Sequence, residues 1–396
     1  MTPRVATGLD VWVTRKFGDI RGLRVGAIVN PTSVDGRLVH LADHLRRADG
    51  VLLAALFGPE HGIRADAQDM VGVSSELDAR TGVPVHTLYG STTTSLTPTR
   101  DQLDGLDALV FDVQDVGSRY YTFAATMLFA MKAAAEHGLR FFVLDRPNPI
   151  GGMIVEGPTI RPGFESFVGP HPMPIRHGMT VGELARMFVD DLSIDLDLTV
   201  IPCEGWRRAM FWRETGLHWV MPSPNMPTPE TALVYPGGCL IEGTNLSEGR
   251  GTTRPFELWG APWIAPEPLA EPAPWSEGAL PRPCAFRPTF HKHAGKVCLG
   301  VQPHVEDPTR FAPVAFYTGM LSGAWAQRPD LFAWRTETFE FVADPIAIDL
   351  LYGSDRERLL IEDFPTPDDL EDLRAEWKVE EAEFLEKRAP HLLYED

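Results

Sequence analysis

Leu109-Val110-Phe111 runs into Asp112-Val113-Gln114-Asp115-Val116-Gly117-Ser118-Arg119-Tyr120-Tyr121, and Phe141-Phe142-Val143-Leu144 runs into Asp145-Arg146-Pro147-Asn148-Pro149. Between them, residues 122–137 set Phe123, Met127, Ala130, Met131 and Ala134 at helical spacing, with Gly138 placed to end the helix. The stretch therefore predicts strand, helix, strand. Neither apolar run alternates with polar residues, as expected of strands covered on both faces, so the pairing should be parallel and the crossover right-handed. Open α/β sheets bind ligands beyond the carboxyl ends of their strands. That edge here carries Asp112, Gln114, Asp115, Arg119, Asp145, Arg146 and Asn148. The residues alone leave two uses open for these groups: lining a site, or capping helices and pairing with neighbouring arginines.

The same alternation extends outward. Strands are predicted over 24–29, 51–57, 83–88 and 198–202, and helices over 38–47 and 180–190, the latter with Thr180 and Glu183 spaced as a capping box. Between 205 and 229 the texture changes to proline and aromatic residues, which places a boundary between a first domain, 1–228, and a second, 229–396. The second has strand patterns at 285–290 and 296–301 and a helix near 310–321. A charged helix at 367–387 follows, carrying Leu370, Leu373, Trp377, Phe384 and Leu385, with its acidic face read as solvated surface.

At 396 residues the chain can bury two substantial cores, and 44% hydrophobic with 23% charged residues is the composition of a soluble globular protein. A net charge of −19 argues against nucleic acid and anionic membrane as partners. Residues 1–20 contain no apolar core of signal-peptide length, and no stretch elsewhere could span a bilayer. As written, the chain reads as cytoplasmic, and as secreted if its N-terminus has been trimmed. Cys203, Cys239, Cys284 and Cys298 follow no zinc spacing and are expected to be reduced and mostly buried. There is no Gly-x-Gly-x-x-Gly, P-loop, Gly-x-Ser-x-Gly or His-Glu-x-x-His, so no cofactor and no metal is expected.

What remains are loops dense in acids, amides and arginines. In Phe57-Gly58-Pro59-Glu60-His61-Gly62, a buried strand emerges through glycine and proline to present a carboxyl group beside an imidazole. Glu60 is the first candidate for a general acid/base, with His61 beside it; the alternative is a loop carboxylate paired with Arg64 or His61. The run 235–257 sets Glu242, Asn245, Glu248, Arg250 and Arg254 among glycines. It reads either as a polar wall or as a disordered surface loop, and in the first case Arg250 and Arg254 could clamp a carboxylate bidentately. His177 in Arg176-His177-Gly178-Met179-Thr180, and Asn225 in Pro222-Ser223-Pro224-Asn225, are candidate ligand contacts with structural alternatives at a helix start and a turn.

These motifs resemble, together, the exo-β-N-acetylmuramidases of the NamZ type. The resemblance is carried by Phe57–Gly58-Pro59-Glu60-His61-Gly62, by Phe111 to Thr122, by Leu144-Asp145-Arg146-Pro147-Asn148-Pro149, by Arg176 to Thr180, by Pro222 to Met226, and by Glu242-Gly243-Thr244-Asn245-Leu246-Ser247-Glu248-Gly249-Arg250-Gly251-Thr252. It implies an α/β fold, a Rossmann-like, mostly parallel sheet domain joined to a smaller α/β domain, with the site in the cleft between them. It implies release of N-acetylmuramic acid from the non-reducing end of peptidoglycan fragments, without nucleotide or metal, and it places the family glutamate at Glu60.

Glycoside hydrolysis needs an acid to protonate the leaving oxygen and a second carboxylate as base or nucleophile. Glu60 is the expected proton donor in a water-poor cleft, and Asp115, then Glu248 and Glu242, are the candidates for the second group. The substrate's own acetamido oxygen is the other way to supply a nucleophile. Tyr120, Tyr121 and Trp259 are candidate stacking faces for sugar rings, and Arg119, Arg146 or Arg250 would meet the lactyl carboxylate. Two rivals remain: phosphoryl transfer or hydrolysis with magnesium on Asp112, Asp115 and Asp145, and a non-catalytic muropeptide-binding protein.

Overall fold

The computed structural model describes residues 4–63 and 76–396. Seven strands form one sheet: β1 (Arg24–Val29), β2 (Leu52–Gly58), β3 (Glu76–Leu77), β4 (Pro84–Thr87), β5 (Ala108–Asp112), β6 (Arg140–Leu144) and β7 (Leu198–Ile201). Their order is β3-β4-β2-β1-β5-β6-β7, and every neighbouring pair is parallel except β3 with β4. Setting β3 aside, the chain winds outward in both directions from β1, the Rossmann arrangement, so the carboxyl ends of β1 and β5 flank its switch point.

The continuous apolar runs are explained by this burial. Along β5, Leu109 and Phe111 join a core with Phe57 and Phe141, while Ala108 and Val110 join a separate core with Val25, Ala27 and Phe142 on the opposite face. The helix Phe123–Glu136 covers the first of these faces, and Leu41–Arg47 the second. Prediction and structure agree closely at Val181–Asp191. There the Thr180 hydroxyl accepts from Glu183 N at 3.3 Å and the Glu183 carboxylate accepts from Thr180 N at 3.0 Å.

The C-terminal half carries a second, smaller sheet, antiparallel, of β8 (Trp259–Ala261), β9 (Ala279–Phe286) and β10 (Cys298–Val305) in the order β8-β10-β9. β9 lies earlier than its pattern at 285–290 suggested, because Pro281 and Pro283 in an exposed, edge-positioned strand mask the signal. Helices Pro229–Gly238 and Pro313–Gln327 pack the second half onto the same face that Phe123–Glu136 covers, and the largest apolar core runs without interruption from Phe57 and Met127 to Tyr317 and Leu351. The cleft that follows is therefore walled by both halves.

Candidate active site

β2 ends at Gly58, and the carbonyl of Pro59 accepts from Gly62 N at 2.9 Å to close a tight turn. His61 takes φ 69° within it, a left-handed conformation that costs energy in any residue with a Cβ. The turn directs Glu60 inward, where only 7% of the residue is exposed. The Thr122 hydroxyl, just ahead of helix Phe123–Glu136, donates to Glu60 Oε2 at 2.7 Å. Arg64, a partner considered for Glu60, lies outside the described residues.

Glu60 and His61 line a small cavity whose walls come from both halves of the chain. The N-terminal half also contributes Tyr120, Tyr121, Thr122, Ser223 and Asn225; the C-terminal half contributes Tyr235, Glu242, Arg250, Phe256, Phe339 and Glu340. Burial drives the Tyr121 hydroxyl well above its usual range; Ser223 opposes this, while the charges of Asp115 and Glu60 add to it. Tyr121 stands edge-on to Tyr235, ring centres 5.5 Å apart.

Arg250 is the cation of this wall. Its Nη2 donates to Glu242 Oε1 at 2.6 Å, its Nε lies 3.2 Å from Glu248 Oε1, and its guanidinium sits 5.1 Å from the Phe256 ring centre. Glu248 is fully buried, with Lys292 Nζ at 3.0 Å and His291 Nδ1 at 2.9 Å. Burial alone would raise its carboxyl, but Lys292, His291 and Arg250 overcome that and hold it well below the usual carboxylate range. The run 235–257 is thus an ordered polar wall. Glu248 serves as its anionic foundation, fully buried and outside the cavity lining.

Several expected ligand contacts have other partners. Arg119, 1% exposed, donates to the carbonyls of Pro158 and Met173, each at 2.8 Å, and of Leu351 and Tyr352 at 2.6 and 2.9 Å. It ties the two halves together. Arg146 is spent on Asp112 at 2.6 Å and on the Val34 carbonyl at 3.1 Å. Gln114 Nε2 bonds the carbonyls of Asp115 and Pro147, Asn148 bridges Met179 O and Ile150 N, and Asn245 bridges Leu331 O and Ala333 N. His177, fully buried, accepts from Met179 N at 3.1 Å and lies 3.7 Å from Asp115. Trp259 is wholly enclosed and offers no stacking face, and Arg254 lines a different groove, paired with Glu257 at 3.2 Å. For Arg119, Arg146, Gln114, Asn148, Asn245 and His177 the cause is irregular backbone: long buried loops must pair their N–H and C=O groups, and these side chains do it.

Asp115 stands between the two groups. Its Oδ2 accepts from Gly117 N at 2.6 Å, and its negative charge is among those that raise the Tyr121 hydroxyl. Asp145 is taken up by Thr180 and Gly182, Asp112 by Arg146, and among the described residues no group of three His, Cys, Asp or Glu could hold a metal ion. The magnesium reading has no cradle in this donor set.

Thr122 and Glu340 are among the wall residues to which the sequence assigned no role. Thr122 lay inside a quoted motif without a role. Glu340 had no motif at all: it sits between Phe339 and Phe341, 6% exposed, and its Oε2 accepts from the Tyr89 hydroxyl at 2.9 Å. Phe339 and Val342 exchange both backbone hydrogen bonds at 2.9 Å, so Glu340 and Phe341 are the central residues of a two-residue hairpin turn, with φ 45° and 70°. A turn with positive φ at both positions ordinarily takes Asn-Gly. Bulky residues there cost of order 1–3 kcal/mol each.

Two family models divide the chain between them: the N-terminal domain of exo-beta-N-acetylmuramidase NamZ over residues 25–230, and its C-terminal domain over 233–394. The chain belongs to the NamZ exo-beta-N-acetylmuramidase family. Among NamZ relatives, the peptidoglycan beta-N-acetylmuramidase NamZ of Bacillus subtilis (strain 168) is 49% identical over 314 residues, 79% of this chain and 75% of that one. Two crystal structures of DUF1343-family proteins from Bacteroides fragilis NCTC 9343 share the fold. One is 34% identical with a TM-score of 0.87, covering 99% of each chain; the other is 29% identical with a TM-score of 0.75, covering 100% of each.

Proposed function

We propose that the chain is an exo-acting glycosidase that releases N-acetylmuramic acid from the non-reducing end of peptidoglycan fragments, down to a muramic acid–glucosamine disaccharide. Membership of the NamZ family supports the reaction class. The observation that carries the assignment of roles is Glu60, a carboxyl group turned out of bulk water into a cavity that both halves wall and fixed there by Thr122. Glu60 protonates the leaving glycosidic oxygen.

Glu242, joined to Arg250 on the cavity wall, is the carboxylate that stabilises a developing oxocarbenium ion. Asp115 is a positioning residue that fixes the turn at Gly117 ahead of Tyr120 and Tyr121. Arg250, the guanidinium on the cavity wall, meets the lactyl carboxylate. Asn225 and Ser223 take the acetamido and hydroxyl groups, and Tyr121 offers its ring. We place the division between the domains at residue 228, immediately before helix Pro229–Gly238. A non-catalytic sugar-binding protein would not need Glu60 and Glu242 on one cavity wall.

The test is release of nitrophenol from a β-muramide by the purified protein, against the matching β-glucosaminide. Preference for the muramide supports the proposal; inertness toward both, with the protein folded, removes it.

A further inference from the structure

We propose that Lys292 is a positioning residue for the lactyl carboxylate: by balancing the charge of Glu248 it keeps Arg250 directed at the substrate, and so sets the preference for acid-bearing sugars. The inference rests on the muramidase reading above and adds the group behind the wall that tunes it.

Residues 287–297 join β9 to β10 and fold back over the polar wall. Thr289 donates through both its backbone N–H and its hydroxyl to the Gly251 carbonyl, each at 2.9 Å. The His293 ring meets the Asn245 carbonyl at 2.8 Å. The loop passes so close at Gly251 that a Cβ there would lie 2.7 Å from Phe290 N. On either side of Lys292, His291 and His293 take φ 66° and 57°, a conformation that costs energy in residues with a Cβ. Between them Lys292 reaches inward, its side chain 16% exposed. Its Nζ lies 3.0 Å from Glu248 Oε2 and donates to the carbonyls of Ile241 at 3.0 Å and Glu242 at 3.4 Å.

The result is a row of alternating charge: Lys292, Glu248, Arg250, Glu242. Arg250 and Glu242 line the cavity, and Lys292 and Glu248 lie outside its lining. His291 Nδ1 adds a further contact to Glu248 at 2.9 Å. A fully buried carboxylate such as Glu248 is tolerated when it is paired. Without the ammonium, both acids fall to Arg250, the guanidinium is drawn back toward Glu248, and the wall carries one more negative charge. A lactyl carboxylate arriving there is repelled, whereas the same sugar with its lactyl group esterified is not. Lys292 therefore acts on the charge of the substrate and not on its shape.

The experiment measures kcat and KM for a nitrophenyl β-muramide and for its lactyl methyl ester, in the wild type and in Lys292→Gln, Lys292→Arg and Glu248→Gln. Lys292→Gln keeps a donor for the Ile241 carbonyl but loses the charge. Its acid-over-ester preference is expected to fall about tenfold, more through KM than through kcat. Lys292→Arg retains the charge and is expected to hold the preference within about twofold of the wild type. Glu248→Gln drops the opposing anion, keeps an amide oxygen for Arg250 Nε, and is expected to raise the preference; this arm carries the test if Lys292→Gln fails to fold, as its Tm would show. Equal losses on acid and ester in Lys292→Gln would overturn the role of Lys292, as would a preference lost as fully in Lys292→Arg or left unchanged or lowered by Glu248→Gln. Binding of the methyl β-muramide and its ester by calorimetry separates this inference from the hydrolase assignment. Wild-type protein that binds with acid preference but turns over neither sinks the hydrolase assignment alone, equal binding of acid and ester sinks the inference alone, and no binding sinks both.

Discussion

Replacing Glu60 by glutamine removes a titratable proton and little else. The introduced amide oxygen can still accept the Thr122 hydroxyl that now donates at 2.7 Å, the volume is unchanged, and the turn closed by Pro59 and Gly62 is untouched. The folded state should therefore survive, with a Tm close to that of the wild type. Loss of a positioned general acid costs roughly 10²- to 10⁴-fold in rate, or about 3–5 kcal/mol of transition-state stabilisation. The size of the loss depends on the leaving group, since a sugar alkoxide needs the proton and a dinitrophenolate scarcely does. Steady-state kcat should thus fall by the full factor on a muramic acid–glucosamine disaccharide, and by less than about tenfold on a dinitrophenyl β-muramide. Thr122→Val, which removes the hydrogen bond but leaves the acid, should fall in between on the disaccharide, by about 10-fold. Equal losses on both substrates in Glu60→Gln would show that the residue shapes the pocket without donating a proton, and a near-normal rate on the disaccharide would refute the reasoning outright.

Other consequences are equally open to measurement. Arg250→Lys keeps a charge but loses the planar fork, so the preference for β-muramides over β-glucosaminides should shrink by about tenfold; an unchanged ratio would place the lactyl carboxylate elsewhere. Arg119→Met strips four backbone carbonyls of their donor and should cost about 3–5 kcal/mol in denaturant unfolding, while the fraction that folds keeps its KM; a raised KM with full stability would restore Arg119 as a substrate contact. Burial pushes the Glu156 carboxyl up to about 7 against an ordinary 4.5, the backbone N–H of Ala315 and Arg176 opposing it. Between those values the folded state keeps a proton that the unfolded chain has released, so stability declines by about 3 kcal/mol as pH rises from about 4.5 to 7 and is level above. Glu156→Gln should flatten that decline in a Tm–pH profile, and a profile as steep as that of the wild type would exclude Glu156 as its source.

The sheet was legible because burial on both faces leaves runs such as Leu109-Val110-Phe111 with almost no polar residue, and because Thr180 and Gly138 punctuate the helices around them. The loops were legible in part. Glu60, Asn225, Glu242 and Arg250 lie on the cavity, where glycine- and proline-rich turns suggested them. Arg119, Arg146, Asn148 and Asn245 looked the same in sequence, yet they bond backbone carbonyls and amides of the loops that carry the site. A residue type does not say whether its partner is a ligand or a peptide group. Glu340 shows the converse. Its place on the wall comes from a strained turn and from Tyr89, some 250 positions earlier in the chain, and neither leaves a local pattern around Phe339-Glu340-Phe341. Domain texture also misled at β9, where prolines on an exposed strand looked like loop.

If this cleft cuts the bond behind a terminal muramic acid residue with Glu60 as its acid, proton NMR of the purified protein with a muramic acid–glucosamine disaccharide will show it. Free N-acetylmuramic acid and N-acetylglucosamine anomeric signals should appear in equal amounts with the wild type, and the spectrum should stay essentially static with Glu60→Gln over the same interval. A disaccharide that persists beside folded wild-type protein, or that is cleaved as fast by Glu60→Gln, would contradict it.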